Sequence, residues 1–335
     1  MKAYIEKLRN RENLTQSEIE EVMHEIMSGN SQDEDISVFL LALREKGPTV
    51  DEITGAAKIM RKFVVEIKTK HKDILDTCGT GGDKKNTFNI STVTALVVAG
   101  AGVAVAKHGN RSISSQCGSA DLLEALGVNL NVEQEHLSAC LDEVGIAFLF
   151  AQKLHPAMKN VAPVRKKLAV ETIFNILGPL TNPAKATHQI MGVYSRDFVE
   201  PMAHVLKNLG LKRAIVVHGN DGMDEITTTD KTFLCEYDGK EIFSYDILPD
   251  ELGIAKAKPK DLEGGDLNKN VRICKDILAG KTGPKRDIVL LNAAYALYVS
   301  QKVKDISQGM DLARKTIDSG GALRKLDQLV QFTRA

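Results

Sequence analysis

The passage from residue 74 to residue 106 constrains this chain more than any other. A short apolar run at 74–77 leads into a glycine-punctuated loop. A helix then starts at Ser91, which reads as its cap, and runs to about residue 99, and a second apolar run follows at 103–106. Strand, loop, helix and strand in that order make a βαβ unit, which demands a parallel sheet and a right-handed crossover. The alternation resumes downstream, with helix 132–143 before strand 146–150, strand 189–193 before helix 198–208, and strand 213–217 after Gly210. Segments 233–237 and 241–245, joined by Asp238-Gly239, read as a hairpin. Residues 271–335 return to helix. The expectation is an α/β fold around a central, mostly parallel sheet.

Residues 1 to about 70 contain no strand-like segment. Thr15 with Glu18, and Thr49 with Glu52, fit the capping box, in which two side chains satisfy the free amides that open a helix. Ile36, Phe39, Leu40 and Leu43, then Ile53, Ala56 and Met60, recur at helical spacing, and Gly47-Pro48 separates the two helices. A small helical domain is expected here. Residues 155–185 also read as helix, at 158–168 and 171–177, without an intervening strand. They either cover the sheet or return to the N-terminal helices.

Composition excludes several classes. Lys plus Arg and Asp plus Glu both number 44 in 335 residues, giving zero formal charge. Nonspecific nucleic-acid affinity rests on excess positive charge, so no nucleic-acid partner is expected. The five cysteines are widely spaced and form no CxxC, which argues against a disulfide framework or structural zinc and suits the cytoplasm. The N-terminus lacks a signal-peptide apolar core, and the apolar runs are too short to span a bilayer, so no membrane partner is expected.

Four segments carry candidate chemistry. In the first, CGTGGD at 78–83 and TFNIST at 87–92 lie between a strand and a helix N-terminus, where unpaired amides and the helix dipole suit a phosphate. It fits neither the dinucleotide nor the P-loop spacing, and its plain structural reading is a tight turn. In the second, KHGNRSISS at 107–115 leaves the end of the next strand with Lys107, His108, Arg111 and three serines, enough for a polyanion cradle beside the first loop. Alone it would be a solvated basic loop. Ser119, opening a further helix, could cap it, bind phosphate, or do both. In the third, Asp224 and Glu225 are adjacent in a loop after a strand, as magnesium ligands often are, although such a pair alone is usually an exposed turn. In the fourth, His155 and Arg165 precede GPLTNPA at 178–184. Arg165 could clamp a carboxylate with its planar fork or be one more surface arginine, and His155 is equally open.

Taken in order, CGTGGD, FNIST, KHGNRSISS, GSADLLEALG, HPAMKNVAPVR and GPLTNPA resemble the anthranilate phosphoribosyltransferases, as do the earlier IMSGN, FLLALREKG and EITGAA. The resemblance implies a small helical domain, residues 1–70 with a return at about 165–185, beside a large α/β domain of residues 71–335. This is the nucleoside phosphorylase and phosphoribosyltransferase type of fold. It implies transfer of a phosphoribosyl group from phosphoribosyl pyrophosphate to the amine of anthranilate in tryptophan biosynthesis, by a homodimer joined through the helical domain.

On the same resemblance, phosphoribosyl pyrophosphate is held by Gly79, Gly82, Asp83, Thr87, Asn89, Ile90, Ser91, Thr92, Lys107, His108, Gly109, Asn110, Arg111, Ser112, Ile113, Ser114, Ser115 and Ser119. Magnesium, as two ions, falls to Ser91, Asp224 and Glu225. Anthranilate meets Gly79, Asn110 and Arg165, with His108 and His155 lining its approach. Lys107, Asn110 and Arg165 are the expected catalytic residues, in a direct displacement with inversion. Cys117 stands where many relatives have serine and carries no expected role. The rival readings are a pyrimidine nucleoside phosphorylase, against which the Asp224-Glu225 and Asn110-Arg111 pairs argue, and a noncatalytic nucleic-acid-binding relative, which zero net charge and Arg165 disfavour.

Overall fold

The computed structural model describes residues 1–112 and 116–335. Four helices open the chain: α1 (Lys2–Arg9), α2 (Gln16–Met27), α3 (Asp33–Lys46) and α4 (Val50–Lys62). Both capping boxes form. Glu18 donates its amide to Thr15 Oγ1 at 3.3 Å and its carboxylate accepts from the Thr15 amide at 2.9 Å. At Thr49 and Glu52 the reciprocal distances are 3.3 and 2.7 Å. Glu52 is fully buried and also accepts from the Leu14 amide and Lys46 Nζ, both at 2.9 Å, so one cap residue ties three segments. Helices α2 and α4 cross at Gly55, where an added Cβ would lie 2.5 Å from Ile19.

The α/β part follows as β1 (Leu75–Asp76), α5 (Ile90–Gly100), β2 (Val105–Gly109), α6 (Ser119–Ala125), α7 (Gln134–Val144) and β3 (Ile146–Phe150). An excursion then runs through α8 (Ala151–Leu154), a 3-10 turn (Pro156–Asn160), α9 (Ala162–Leu168) and α10 (Phe174–Leu177). The chain returns in β4 (His188–Gly192), α11 (Val199–Asn208), β5 (Arg213–Gly219) and the hairpin β6 (Thr232–Tyr237) and β7 (Ile242–Ile247). It ends in α12 (Leu267–Leu278), α13 (Pro284–Val299), α14 (Ile306–Asp318) and α15 (Gly321–Arg334). Among the described residues, seven strands form one sheet in the order β3-β2-β1-β4-β5-β6-β7, with β1 to β5 mutually parallel and β6 and β7 antiparallel.

Alternation along the strands sets the layers. Ile190, Ile215 and Val217 face a cluster built with α5, α7 and α12 to α15, whereas Met191, Val193, Ala214 and Val216 face the opposite cluster. That opposite cluster contains α11, the N-terminal helices and the excursion side chains Ala157, Val161, Val164, Ile173, Phe174 and Leu180. The excursion thus joins the helical body from residue 157. Among the described residues no helix is long and apolar enough to cross a membrane.

Three local expectations are corrected. The α5 N-cap is Asn89, and Ser91 is the second helical residue, because the chain turns at Phe88, whose carbonyl accepts from the Ile90 amide. The stretch 158–177 is not two helices but a 3-10 turn and two short helices. Pro156 and Pro163 restart the chain, and Ala169, at φ 51°, stops α9. The strand expected at 103–106 lies at 105–109, since Lys107 and His108 pair in the ladder with Phe148 and Leu149 of β3.

Candidate active site

In an open parallel sheet, a ligand crevice forms at the carboxyl ends of strands where neighbouring connections run to opposite sides. Here β1 is flanked by β2 and β4, so the loop after β1 opens into that crevice. Every sequence-predicted site residue among those described lines one cavity there, of about 670 Å³. Ile113, Ser114 and Ser115 lie outside the described residues.

β1 ends after two residues because the Asp76 carboxylate turns in on its neighbours. Its Oδ1 accepts from the amides of Cys78 at 3.1 Å and His108 at 3.2 Å, and its Oδ2 from Asn182 Nδ2 at 2.7 Å. Asn182 also donates to the Ala106 carbonyl at 2.7 Å. One carboxylate thereby aligns the two loops expected to cradle the donor. Burial pushes its pKa up to about 6 against the opposing pull of Lys107 and these donors. Asp76, Cys78 and His108 offer ligand atoms within 4.8 Å of one another, but the carboxylate is already committed to three donors, so the trio is a hydrogen-bonded turn.

Lys107 is buried, and its Nζ donates to Thr77 Oγ1 at 3.2 Å and Ser91 Oγ at 3.4 Å. It reaches the start of α5, where the Ser91 amide donates to Glu225 Oε1 at 3.1 Å. Asn89 donates through Nδ2 to the Cys117 carbonyl at 2.9 Å, which ties the α5 cap to the second loop. Gly81 and Gly82, at φ 65° and 84°, let the first loop bend in the left-handed region over the cavity.

Asp83, Asp224 and Glu225 converge from two loops. Enclosure and then the neighbouring Asp83 push the Asp224 carboxyl up to about 7. Enclosure and then Asp224 hold Glu225 well above the usual carboxylate range. Oxygen donors crowded together against their own repulsion are the donor set of a hard cation. The acidic loop is seated against the end of β4, and a Cβ added at Gly192 would lie 1.5 Å from the Asp224 carbonyl oxygen.

At Arg111 the second loop is organised by ion pairs. Its guanidinium donates to Asp121 at 2.8 Å and to Glu124 at 2.8 and 3.1 Å. Asp121 also accepts from the amides of Ser112 and Gly118, so these ion pairs shape the loop. Gly118 takes the α6 cap position, and Ser119 Oγ donates to the Asn110 carbonyl at 3.2 Å.

The excursion supplies the opposite wall. His155 and His108 meet Nε2 to Nε2 at 3.0 Å, which needs one proton between them. Burial lowers both pKa values, His155 to about 4 and His108 well below its ordinary value, so the pair is neutral near pH 7. Arg165 on α9 lies with its guanidinium carbon 5.6 Å from the centre of the Phe174 ring. Among the described residues it has no carboxylate partner.

Two family models divide the chain between them. The helical bundle domain of the glycosyl transferase family matches residues 2–64, and the a/b domain of that family matches residues 71–323. The anthranilate phosphoribosyltransferase of Acetivibrio thermocellus is 52% identical over 99% of this chain and 96% of its own. This chain belongs to the anthranilate phosphoribosyltransferases. Among solved structures, the anthranilate phosphoribosyltransferase of Thermus thermophilus superposes with a TM-score of 0.94 at 41% identity, covering 99% of each chain. The Saccharomyces cerevisiae enzyme, solved in complex with PRPP and Mg, gives 0.91 at 28% identity over 99% and 97%.

Four residues around the site carry no role on the sequence alone. Asp76 reads there only as part of a strand, yet a carboxylate in an apolar strand needs a partner. Asn182 sat inside a quoted motif without a role. Asn292, in the apolar run VLLNAAYAL, is the same kind of signal. Gly192 had none, because its role depends on a loop more than thirty residues downstream.

Proposed function

We propose that the chain transfers the phosphoribosyl group of phosphoribosyl pyrophosphate to the amine of anthranilate, giving N-(5-phosphoribosyl)anthranilate and pyrophosphate in tryptophan biosynthesis. One observation carries the reading: a single cavity joins an anion cradle, an acidic cation site and, on the facing wall, an arginine with no carboxylate partner among the described residues. The α5 amides, the glycine loop and Lys107 bind the phosphates. Arg165 clamps the anthranilate carboxylate, with its aromatic ring against Phe174, and Asn110 helps orient the amine toward C1 of the ribose. The bond from C1 to the pyrophosphate oxygen breaks as the C1–N bond forms with inversion, and the amine loses a proton.

Asp224, Glu225 and Ser91, with Asp83 beside them, would hold magnesium, as two ions. Bound there, it neutralises charge growing on the leaving pyrophosphate. Lys107, whose Nζ lies 3.4 Å from Ser91 Oγ, acts on the same charge. No covalent intermediate is needed. The one thiol on the first loop, Cys78, is pushed up by burial and stays protonated, a poor nucleophile.

The division into residues 1–70 with a return near 165–185, and residues 71–335, belongs to the same proposal. It is supported by the buried cluster that unites the excursion with the N-terminal helices. A homodimer would use the helical body, where Leu41 on α3 is 40% exposed. Five free thiols suit a reducing cytoplasm.

The test follows anthranilate fluorescence after phosphoribosyl pyrophosphate is added, with and without magnesium. Magnesium-dependent loss is expected. Arg165→Ala should raise the KM for anthranilate at least about tenfold, in line with loss of a charged hydrogen bond, while the KM for the donor stays put. No loss under any metal condition would overturn the reading.

A further inference from the structure

We propose that Asn292, on a helix that supplies no expected ligand, is a positioning residue for the metal carboxylates. The inference rests on reading Asp224 and Glu225 as those ligands. Asn292 projects from α13, a helix buried on nearly every face, and is 2% exposed at the edge of the cavity. Its Oδ1 accepts from the Ile226 amide at 3.1 Å, and its Nδ2 donates to the Ile226 carbonyl at 2.9 Å. The second Nδ2 hydrogen goes to the Ile288 carbonyl of its own helix, also at 2.9 Å.

The carboxamide thus stands in for a neighbouring strand, engaging both backbone groups of the residue that follows Glu225. Fixing both peptide planes of Ile226 fixes the direction in which the Glu225 side chain leaves the chain. That side chain is met from the other end by the Ser91 amide. Asp221 holds the loop's flanks, accepting from the Met223 amide at 3.0 Å and Thr227 Oγ1 at 2.7 Å. Ile226 is fully buried, so without Asn292 its amide and carbonyl have no water to turn to. The loop then shifts to find other partners, and the carboxylates shift with it.

Aspartate is the informative substitution, since it keeps the shape and the acceptor but sets a second oxygen against the Ile226 carbonyl. The measurement is manganese binding to the purified enzyme, read from loss of the free-ion electron paramagnetic resonance signal. It is paired with the manganese dependence of kcat at saturating substrates. For Asn292→Asp and Asn292→Leu, the half-saturating manganese should rise at least tenfold in both readouts, while the KM for anthranilate stays within threefold. Far-UV circular dichroism establishes which variants fold, and Asn292→Asp, the closer in shape, stands if Asn292→Leu does not. If Glu225→Gln weakens manganese binding but a folded Asn292 variant binds like wild type, the positioning role is overturned and the metal reading survives. If Asp224→Asn and Glu225→Gln both bind manganese like wild type, the metal reading falls and takes this inference with it.

Discussion

Replacing Gly192 by alanine adds one methyl group where β4 meets the acidic loop. That Cβ would start 1.5 Å from the Asp224 carbonyl oxygen and 2.4 Å from its carbonyl carbon, against a floor of 3.0 Å for real contacts. Either the end of β4 or the loop must retreat by about 1.5 Å, the difference between 3.0 and 1.5. Neither retreats freely. Gly192 is paired with Val217 of β5 and its carbonyl accepts from the Thr80 amide at 2.9 Å, and Ile226 is bracketed by Asn292. A misplacement of about 1 Å at a reacting centre costs on the order of a hundredfold in rate. Gly192→Ala should therefore lower kcat at least about a hundredfold, at a stability cost of roughly 1–3 kcal/mol from overpacking. The fluorescence assay gives kcat and the magnesium dependence, and urea unfolding gives stability. The KM for anthranilate should hold within about threefold, since the Arg165 wall is untouched. A folded variant with kcat within fivefold of wild type would refute the claim that this contact sets the carboxylates.

Two further outcomes are expected. From about pH 5 to pH 7 the raised carboxyls of Asp224 and Glu225 hold protons that the unfolded chain has released, so these two groups make metal-free stability fall as pH rises. The buried histidines, lowered by burial, contribute the opposite slope. Asp224→Asn removes part of the carboxyl contribution and leaves that of the histidines, so thermal scans should show the variant gaining stability on wild type across this window, and a constant difference would contradict it. Asn182→Ala leaves Asp76 Oδ2 and the Ala106 carbonyl without their donor. It should lose about 3 kcal/mol or more in urea unfolding, and a loss under 1 kcal/mol would mean that water replaces the amide.

The parts of the fold that were legible are those set by local signals. The capping boxes at Thr15 and Thr49 form as their spacing requires, and the hairpin at Asp238-Gly239 joins β6 and β7. The two loops at 78–92 and 107–112 could be placed at one sheet edge because a βαβ crossover puts consecutive parallel strands in one sheet with the same polarity. What escaped depends on partners distant in sequence. Asn182 works through Asp76, 106 residues away, and Asn292 through Ile226, 66 away. The ion pairs of Arg111 are hidden for a different reason: charge type is readable in the sequence, but not that Asp121 and Glu124 lie within reach of it on α6. Pro156 and Pro163 signal the breaks in 156–177, against the helical periodicity of the same stretch.

The shared cluster beneath the sheet also bears on how the chain comes into being. Helices α1 to α4 leave the ribosome before the elements that cover them, since their apolar faces pack on side chains from residues 157–180 and on α11 with Leu211. From Lys62 to Leu211 is about 150 residues, or roughly 7–30 s of synthesis at 5–20 residues per second. Through that interval the nascent helices carry Ile53, Ala56 and Met60 with part of their cover still unmade. Helices α1 to α4 are thus made well before their cover, and the opposite face of the sheet waits longer still, for α12 to α15. A chain arrested before residue 157 presents an open apolar face to chaperones and to its own copies.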